Sequence, residues 1–169
     1  MEVMQLGVLL TGASGVGKSE LALDLVSRGH HLIADDAPEF FLSAVTTVVE
    51  GRCPEMLCDF LEVRGLGVIN MRAMFGDSAV MPRAQLNIVL HLKVIDDEWP
   101  SRVDRLHATR DSVVVLGVEI PRITLPVAPG RNLAILVEAA IRGHKLLLAG
   151  YDAAADLSQR QESSLQSES

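Results

Sequence analysis

Apolar residues fall in short runs separated by polar or glycine-rich breaks. Leu6-Gly7-Val8-Leu9-Leu10 is the first run and has the length of a buried strand. Beyond it Leu21, Leu25 and Val26 recur at helical spacing, which predicts a helix from Lys18 to Arg28. His31-Leu32-Ile33-Ala34 predicts a second short strand that ends at Asp35-Asp36. Phe40 to Leu42 and Thr46 to Val49 predict a β-pair over a short turn, and Pro54 to Phe60 one or two helical turns opened by Pro54. Met71 to Pro82 mixes Met, Gly, Asp and Pro and predicts a loop with a short helix. Leu86 to Leu92 is a strong strand, followed by a charged, irregular stretch from Asp96 to Asp111. Val113 to Leu116 and Glu119 to Val127 predict a hairpin around Gly117. Leu133, Leu136, Val137, Ala140, Ile141 and Leu147 predict a last helix within Gly130 to Gly150. The tail, residues 153–169, is rich in Ser, Gln and Glu and is expected to be disordered. One strand-loop-helix unit followed mainly by β segments predicts an α/β fold with a mixed sheet, not an all-parallel one.

The chain has 169 residues, which predicts one domain, here residues 1–152, large enough to bury a core. A net charge of −7 and a pI near 5.2 argue against nucleic acid as partner, since that needs a basic face. No apolar run approaches the roughly 18 residues that span a bilayer, so no membrane partner is expected. Met1-Glu2-Val3-Met4-Gln5 lacks the basic start of a secretory signal, which with the site below predicts a cytoplasmic protein. Cys53 and Cys58, the two cysteines, stand in a C-x4-C spacing without paired histidines and read as reduced thiols rather than zinc ligands.

Gly12-Ala13-Ser14-Gly15-Val16-Gly17-Lys18-Ser19 fits G-x-x-x-x-G-K-[ST], the phosphate-binding P-loop. Glycines let the backbone fold so that its N–H groups point at phosphate oxygens. Lys18 adds a mobile charge for the outer phosphates, and the Ser19 hydroxyl suits Mg²⁺. A strand before and a helix after give the motif its expected context, with the helix N-terminus beneath the phosphates. Asp35-Asp36 ends a predicted strand, where one carboxylate can take a hydroxyl proton while the other orients it or a metal-bound water. A solvated acidic turn would look the same in sequence. Leu61 to Asn70 sets Glu62 and Arg64 in an apolar run with two glycines, which an edge strand with a bulge would also explain. Pro121 to Asn132 leads through Pro126, Pro129 and Gly130 to a helix N-terminus, a rigid connector or a second anion site. The five histidines form no triad or metal pattern and read as structural or surface residues.

These runs, in this order behind this P-loop, resemble the HPr kinase/phosphorylase family, specifically its C-terminal catalytic domain. The resemblance covers roughly residues 6–153 and includes Glu20, Arg28-Gly29-His30, Ala34-Asp35-Asp36, Asp104-Arg105-Leu106 and Gly150-Tyr151-Asp152-Ala153. It implies a P-loop NTPase-type mixed sheet with flanking helices, like that of phosphoenolpyruvate carboxykinase. It implies a bifunctional enzyme that phosphorylates a serine of the phosphocarrier protein HPr and removes that phosphate by phosphorolysis, regulating carbon metabolism and sugar uptake. Gly12, Ala13, Ser14, Gly15, Val16, Gly17, Lys18 and Ser19 would bind ATP or pyrophosphate, and Ser19 and Glu62 would hold Mg²⁺. Asp35 and Asp36 would supply the base, with Asp36 favoured, and Arg105 would stabilise the transferred phosphoryl group. Glu62 to Asn70 would serve both reactions, Pro126, Val127, Ala128, Pro129, Gly130 and Arg131 would serve mainly dephosphorylation, and the assembly would be a homo-oligomer, a hexamer. The chain departs from the family pattern in two places. The family's His before the P-loop strand has no counterpart ahead of His30, which is expected of either a shortened chain or a short natural form. The Arg that often follows the acidic pair is here Ala37. A P-loop small-molecule kinase and a non-catalytic nucleotide-sensing module are the alternatives. The first would need a lid and an Arg-rich monophosphate site, the second no acidic pair beside Glu62 and Arg105.

Overall fold

A computed structural model describes residues 1–44, 47–94 and 109–167. Its spine is the twelve-residue strand β7 (Arg83–Val94), where Ile88, Val89 and Leu90 are all buried, as expected of a strand covered on both faces. β7 pairs in parallel with β2 (Leu6–Gly12) and with β9 (Val118–Val127), and antiparallel through Arg83–Gln85 with β4 (Val49–Arg52). β1 (Glu2–Val3), β3 (Glu39–Leu42) and β8 (Arg110–Val115) add antiparallel to β2, β4 and β9. Among the described residues these seven strands form one sheet, mixed as expected.

The helices α1 (Lys18–Ser27) and α3 (Leu133–Leu148) bury a common core against one part of this sheet. Leu25, Val137, Ile141, Ile88 and Leu90 there are fully enclosed, each contributing about 1.5–3 kcal/mol relative to exposure. A second cluster, Val49, Leu86, Val89 and Ile120, gathers Leu9, Phe40 and Val113 around it. α1 ends where the His30 N–H turns back to the Leu25 carbonyl at 3.1 Å, and Asn132 caps α3 by accepting from the Ile135 N–H at 3.1 Å.

Several elements differ from the sequence-based expectation. His31 to Ala34 is not a strand: His31 bridges Glu2, Leu32 bridges Val80, and the ladder stops. The acidic pair and Pro38 follow at once, and Asp35 bonds a distant N–H instead of continuing a ladder. The strand expected from Thr46 begins at Val49, and Thr46 itself lies outside the described residues. Pro54 to Phe60 shrinks to a single 3-10 turn at Glu55–Leu57, because Phe60 already pairs with Asn70. Leu61 to Asn70 is not one bulged edge strand but a separate two-stranded hairpin of β5 (Phe60–Val63) and β6 (Gly67–Asn70), turning at Arg64-Gly65-Leu66. α2 (Met71–Phe75) follows directly, capped by the Asn70 side chain.

The expected disordered tail is instead the helix α4 (Ala153–Ser167). Its stabilisation is local and polar. The Ala154 N–H donates to Asp152 at 2.9 Å, and Asp156 receives Arg160 at 2.7 Å and the Tyr151 hydroxyl at 2.9 Å. Caps and i,i+4 pairs of this kind need no apolar stripe, which is why hydrophobic periodicity missed it.

Candidate active site

Strand β2 delivers the P-loop motif to the carboxyl edge of the sheet. At Gly12 the backbone takes φ 148°, and a Cβ there would stand 2.6 Å from the Leu92 carbonyl oxygen and 3.0 Å from Val16 Cγ1. Glycine therefore lets β2 end flush against β7 and turn straight into the loop. Val16 is buried and anchors the loop from below, its N–H bonding the Ala13 carbonyl at 3.2 Å. No side chain caps α1 at its start, so its first N–H groups are left for a ligand in the cleft formed by Gly17, Lys18, Ser19 and Glu20. Lys18 Nζ folds back onto the carbonyls of Gly12 and Ala13, both at 3.2 Å.

The hairpin β5–β6 forms the opposite wall. Leu61 and Val63 point into the core, so alternation turns Glu62 outward. The Glu62 N–H donates to Asp35 Oδ2 at 2.9 Å, tying the acidic pair to the hairpin. Burial raises the Asp35 pKa above the ordinary carboxylate value. The Glu62 N–H opposes that shift, the charges of Asp36 and Glu62 add to it, and Lys18 draws it down. Asp36 is exposed. The resulting cleft of about 370 Å³ is lined by Ser14, Gly15, Lys18, Ser19, Asp36, Glu62 and Arg64, among others. Lys18 and Asp36 also line an adjoining cavity of about 340 Å³, with Asp35 and the more apolar Ile33, Pro38 and Phe40.

The structure thus brings together most of the residues expected from sequence, from three separate segments. Arg105 lies outside the described residues, as do Trp99 and His107. The expected dephosphorylation loop, Pro126 to Arg131, leaves the same sheet edge. Gly12 is level with Leu92, Leu92 with Leu125, and Lys93 with Pro126. None of its residues lines the cleft, and part of the α3 N-terminus is already occupied by Asn132. Arg64, an odd charge in an apolar run within the Glu62–Asn70 segment that the resemblance assigns to both reactions, is part of the wall. Its signal was a cation beside glycines at a turn.

Three histidines have partners elsewhere. His30 meets Glu138 at 3.1 Å, His31 meets Glu2, and His91 meets Thr11 at 3.0 Å. Burial lowers the pKa of His144, with Arg110 adding to the shift. Cys53 and Cys58 are free thiols, and burial first, then Cys58, pushes Cys53 up to about 12.

Fold and cleft together define a mixed-sheet α/β protein with its charged groups gathered at the carboxyl edge, around the loop after the first long strand. Residues 1–161 match the HPr Serine kinase C-terminal domain, and the chain belongs to that family. The HPr kinase/phosphorylase of Neisseria meningitidis is 49% identical over 165 residues, which is 98% of this chain and 51% of that protein. That of Azoarcus sp. is 52% identical over 163 residues, 95% of this chain and 51% of that one. The chain spans about half the length of the curated relatives it matches. Among solved structures, the Hpr(Ser) kinase/phosphatase from Coxiella burnetii superposes with a TM-score of 0.81 at 31% identity, covering 92% of this chain and 93% of that one.

Proposed function

We propose that the protein transfers a phosphoryl group from ATP, or from pyrophosphate, to a serine of the phosphocarrier protein HPr, and removes it again by phosphorolysis. One observation carries this reading: Lys18, Ser19, Asp36 and Glu62 converge on a single cleft at the end of a strand whose loop has the phosphate-cradling pattern. Family membership and the names of the relatives support it.

In the kinase direction the serine oxygen attacks the terminal phosphorus, the bond to the leaving oxygen breaks, and Asp36 takes the hydroxyl proton. Asp35, tied to the Glu62 N–H, holds the pair in place. Lys18 exchanges two carbonyl partners for phosphate oxygens. Ser19 and Glu62 offer oxygen donors from opposite walls, and Mg²⁺ suits such a site because it takes one or two protein oxygens besides phosphate. The metal, when bound, offsets phosphate charge. In reverse, an oxygen of inorganic phosphate attacks the seryl phosphorus, pyrophosphate forms, and Asp36 returns the proton to serine. Loop 126–131, with Arg131, helps hold the incoming phosphate, and Arg105 adds positive charge to the transferred group.

The same reading takes the sheet as P-loop NTPase-type, like that of phosphoenolpyruvate carboxykinase, the protein as cytoplasmic, and the working assembly as a hexamer that regulates carbon metabolism. Incubation with HPr, ATP and Mg²⁺, followed by mass measurement of HPr, tests it. One added phosphoryl group on serine is expected. Nucleotide turnover without change in HPr would favour a small-molecule kinase, and binding without turnover a nucleotide sensor.

A further inference from the structure

Cys53 and Cys58, the two cysteines of the chain, flank the 3-10 turn at Glu55–Leu57, between β4 and β5. The Leu57 N–H donates to the Pro54 carbonyl at 2.9 Å, which doubles the chain back and brings Cys58 towards Cys53. The Cys58 thiol then donates to the Pro54 carbonyl at 3.4 Å and to the Cys53 carbonyl at 3.8 Å, and the two cysteine side chains hydrogen-bond each other. Both thiols are free, Cys53 buried and Cys58 half-buried. The turn leads straight into the site. Asp59 follows Cys58, and its carbonyl accepts the Met71 N–H at 2.7 Å while its carboxylate holds Arg72. It thus ties the turn to the hairpin whose Glu62 N–H bonds Asp35 at 2.9 Å. The charge of Asp35 also reaches Cys53, so the turn and the acidic pair are neighbours.

We propose that Cys53 and Cys58 form a redox site, in which a peroxide oxidises the pair to a reversible intramolecular disulfide that shifts the base of the β5–β6 hairpin and slows phosphoryl transfer. The effect on transfer rests on the reading above; the disulfide does not. The more accessible Cys58 sulfur attacks one peroxide oxygen, giving a sulfenic acid and a water. The Cys53 sulfur then displaces the sulfenic oxygen as a second water, and the S–S bond forms. Two electrons leave the two thiols and reduce one peroxide to two waters. Burial, with Cys58 next, pushes the Cys53 thiol up to about 12, which makes it a poor first nucleophile. Contact with Cys58 offsets this in the second step, which is intramolecular. An S–S bond of about 2.05 Å is much shorter than a thiol hydrogen bond, so closing it draws the two ends of the turn together. A transient, sensing disulfide is the form that reducing compartments allow.

The test treats wild type, Cys53→Ala and Cys58→Ser with hydrogen peroxide and counts thiols by alkylation and mass, before and after dithiothreitol. Wild type should lose both thiols within one chain and regain them. Cys53→Ala should stop at a Cys58 sulfenic acid that dimedone traps, and Cys58→Ser should keep its buried thiol. In oxidised wild type the Glu62 N–H should exchange faster with deuterium, and kcat on HPr should fall on the order of 10-fold and recover on reduction. Thiols that survive peroxide in wild type, a linkage between chains, or a disulfide that leaves either Glu62 exchange or kcat unchanged would overturn the proposal. So would an equal loss of kcat in peroxide-treated Cys53→Ala/Cys58→Ser, which would place the oxidation elsewhere. If untreated wild type leaves HPr unmodified, the substrate reading fails, while thiol count and amide exchange still decide the redox site.

Discussion

Asp35 and Asp36 are neighbours in sequence with different surroundings. Asp35 is half-buried and bonded to the Glu62 N–H; Asp36 is exposed and lines the cleft beside Lys18. On this account Asp36 exchanges the proton and Asp35 holds the hairpin against the loop. Asp36→Asn keeps the shape and removes the acceptor, so kcat should fall by about 10²- to 10⁴-fold with nucleotide binding retained. Steady-state kinetics beside equilibrium nucleotide binding checks this. A loss confined to Asp35→Asn would reverse the two roles. Sequence had singled out the pair, Lys18, Ser19 and Glu62, because each stands in a recognisable local pattern. The resemblance favoured Asp36, but the residues alone did not separate the two carboxylates, because the difference lies in one hydrogen bond across 27 residues of chain. The resemblance gave Arg64 a share in both reactions only as part of the Glu62–Asn70 segment, and its place beside Gly15 comes from packing alone.

Strand β2, the loop and α1 were legible because apolar spacing and the glycine motif agree. The β8–β9 hairpin was legible for the same reason, turning at Leu116-Gly117 where both residues take positive φ. The β5–β6 hairpin was not, because Arg64-Gly65 and Gly67 break an apolar run and a break can mean a bulge as readily as a turn. α4 was missed because capping and i,i+4 pairs, not burial, hold it. The closest fit in the site is between elements, at Gly12 against β7. Gly12→Ala should destabilise the fold by about 1–3 kcal/mol, because a Cβ would press on the Leu92 carbonyl at a backbone angle that side chains avoid. Denaturant unfolding of the two proteins measures it, and an unchanged midpoint would mean the strand end is looser than described.

At the scale of the molecule, parallel strands β2, β7 and β9 open their carboxyl ends on one edge, which collects the phosphate loop and loop 126–131 there. Two strand spacings, about 10 Å, separate the ends of β2 and β9. That offset fits the proposal that loop 126–131 serves mainly the dephosphorylation. Phosphorolysis must hold inorganic phosphate beside a seryl phosphate, two anions whose repulsion needs added positive charge. The kinase direction brings its phosphoryl group already bonded to the donor. Arg131→Ala should therefore lower phosphorolysis much more than phosphorylation, read as the two rates on one preparation across phosphate concentrations. Equal losses would make Arg131 structural or shared.

The central claim is that one cleft, cradled by residues Gly12 to Ser19, serves both directions on HPr. The direct measurement follows HPr by mass, first with ATP and Mg²⁺, then with inorganic phosphate added, for wild type and for Lys18→Ala. The account predicts that wild type adds one seryl phosphoryl group and removes it with release of pyrophosphate, and that Lys18→Ala loses both activities while staying folded. An HPr left unmodified by wild type, or one direction surviving in Lys18→Ala, would contradict it.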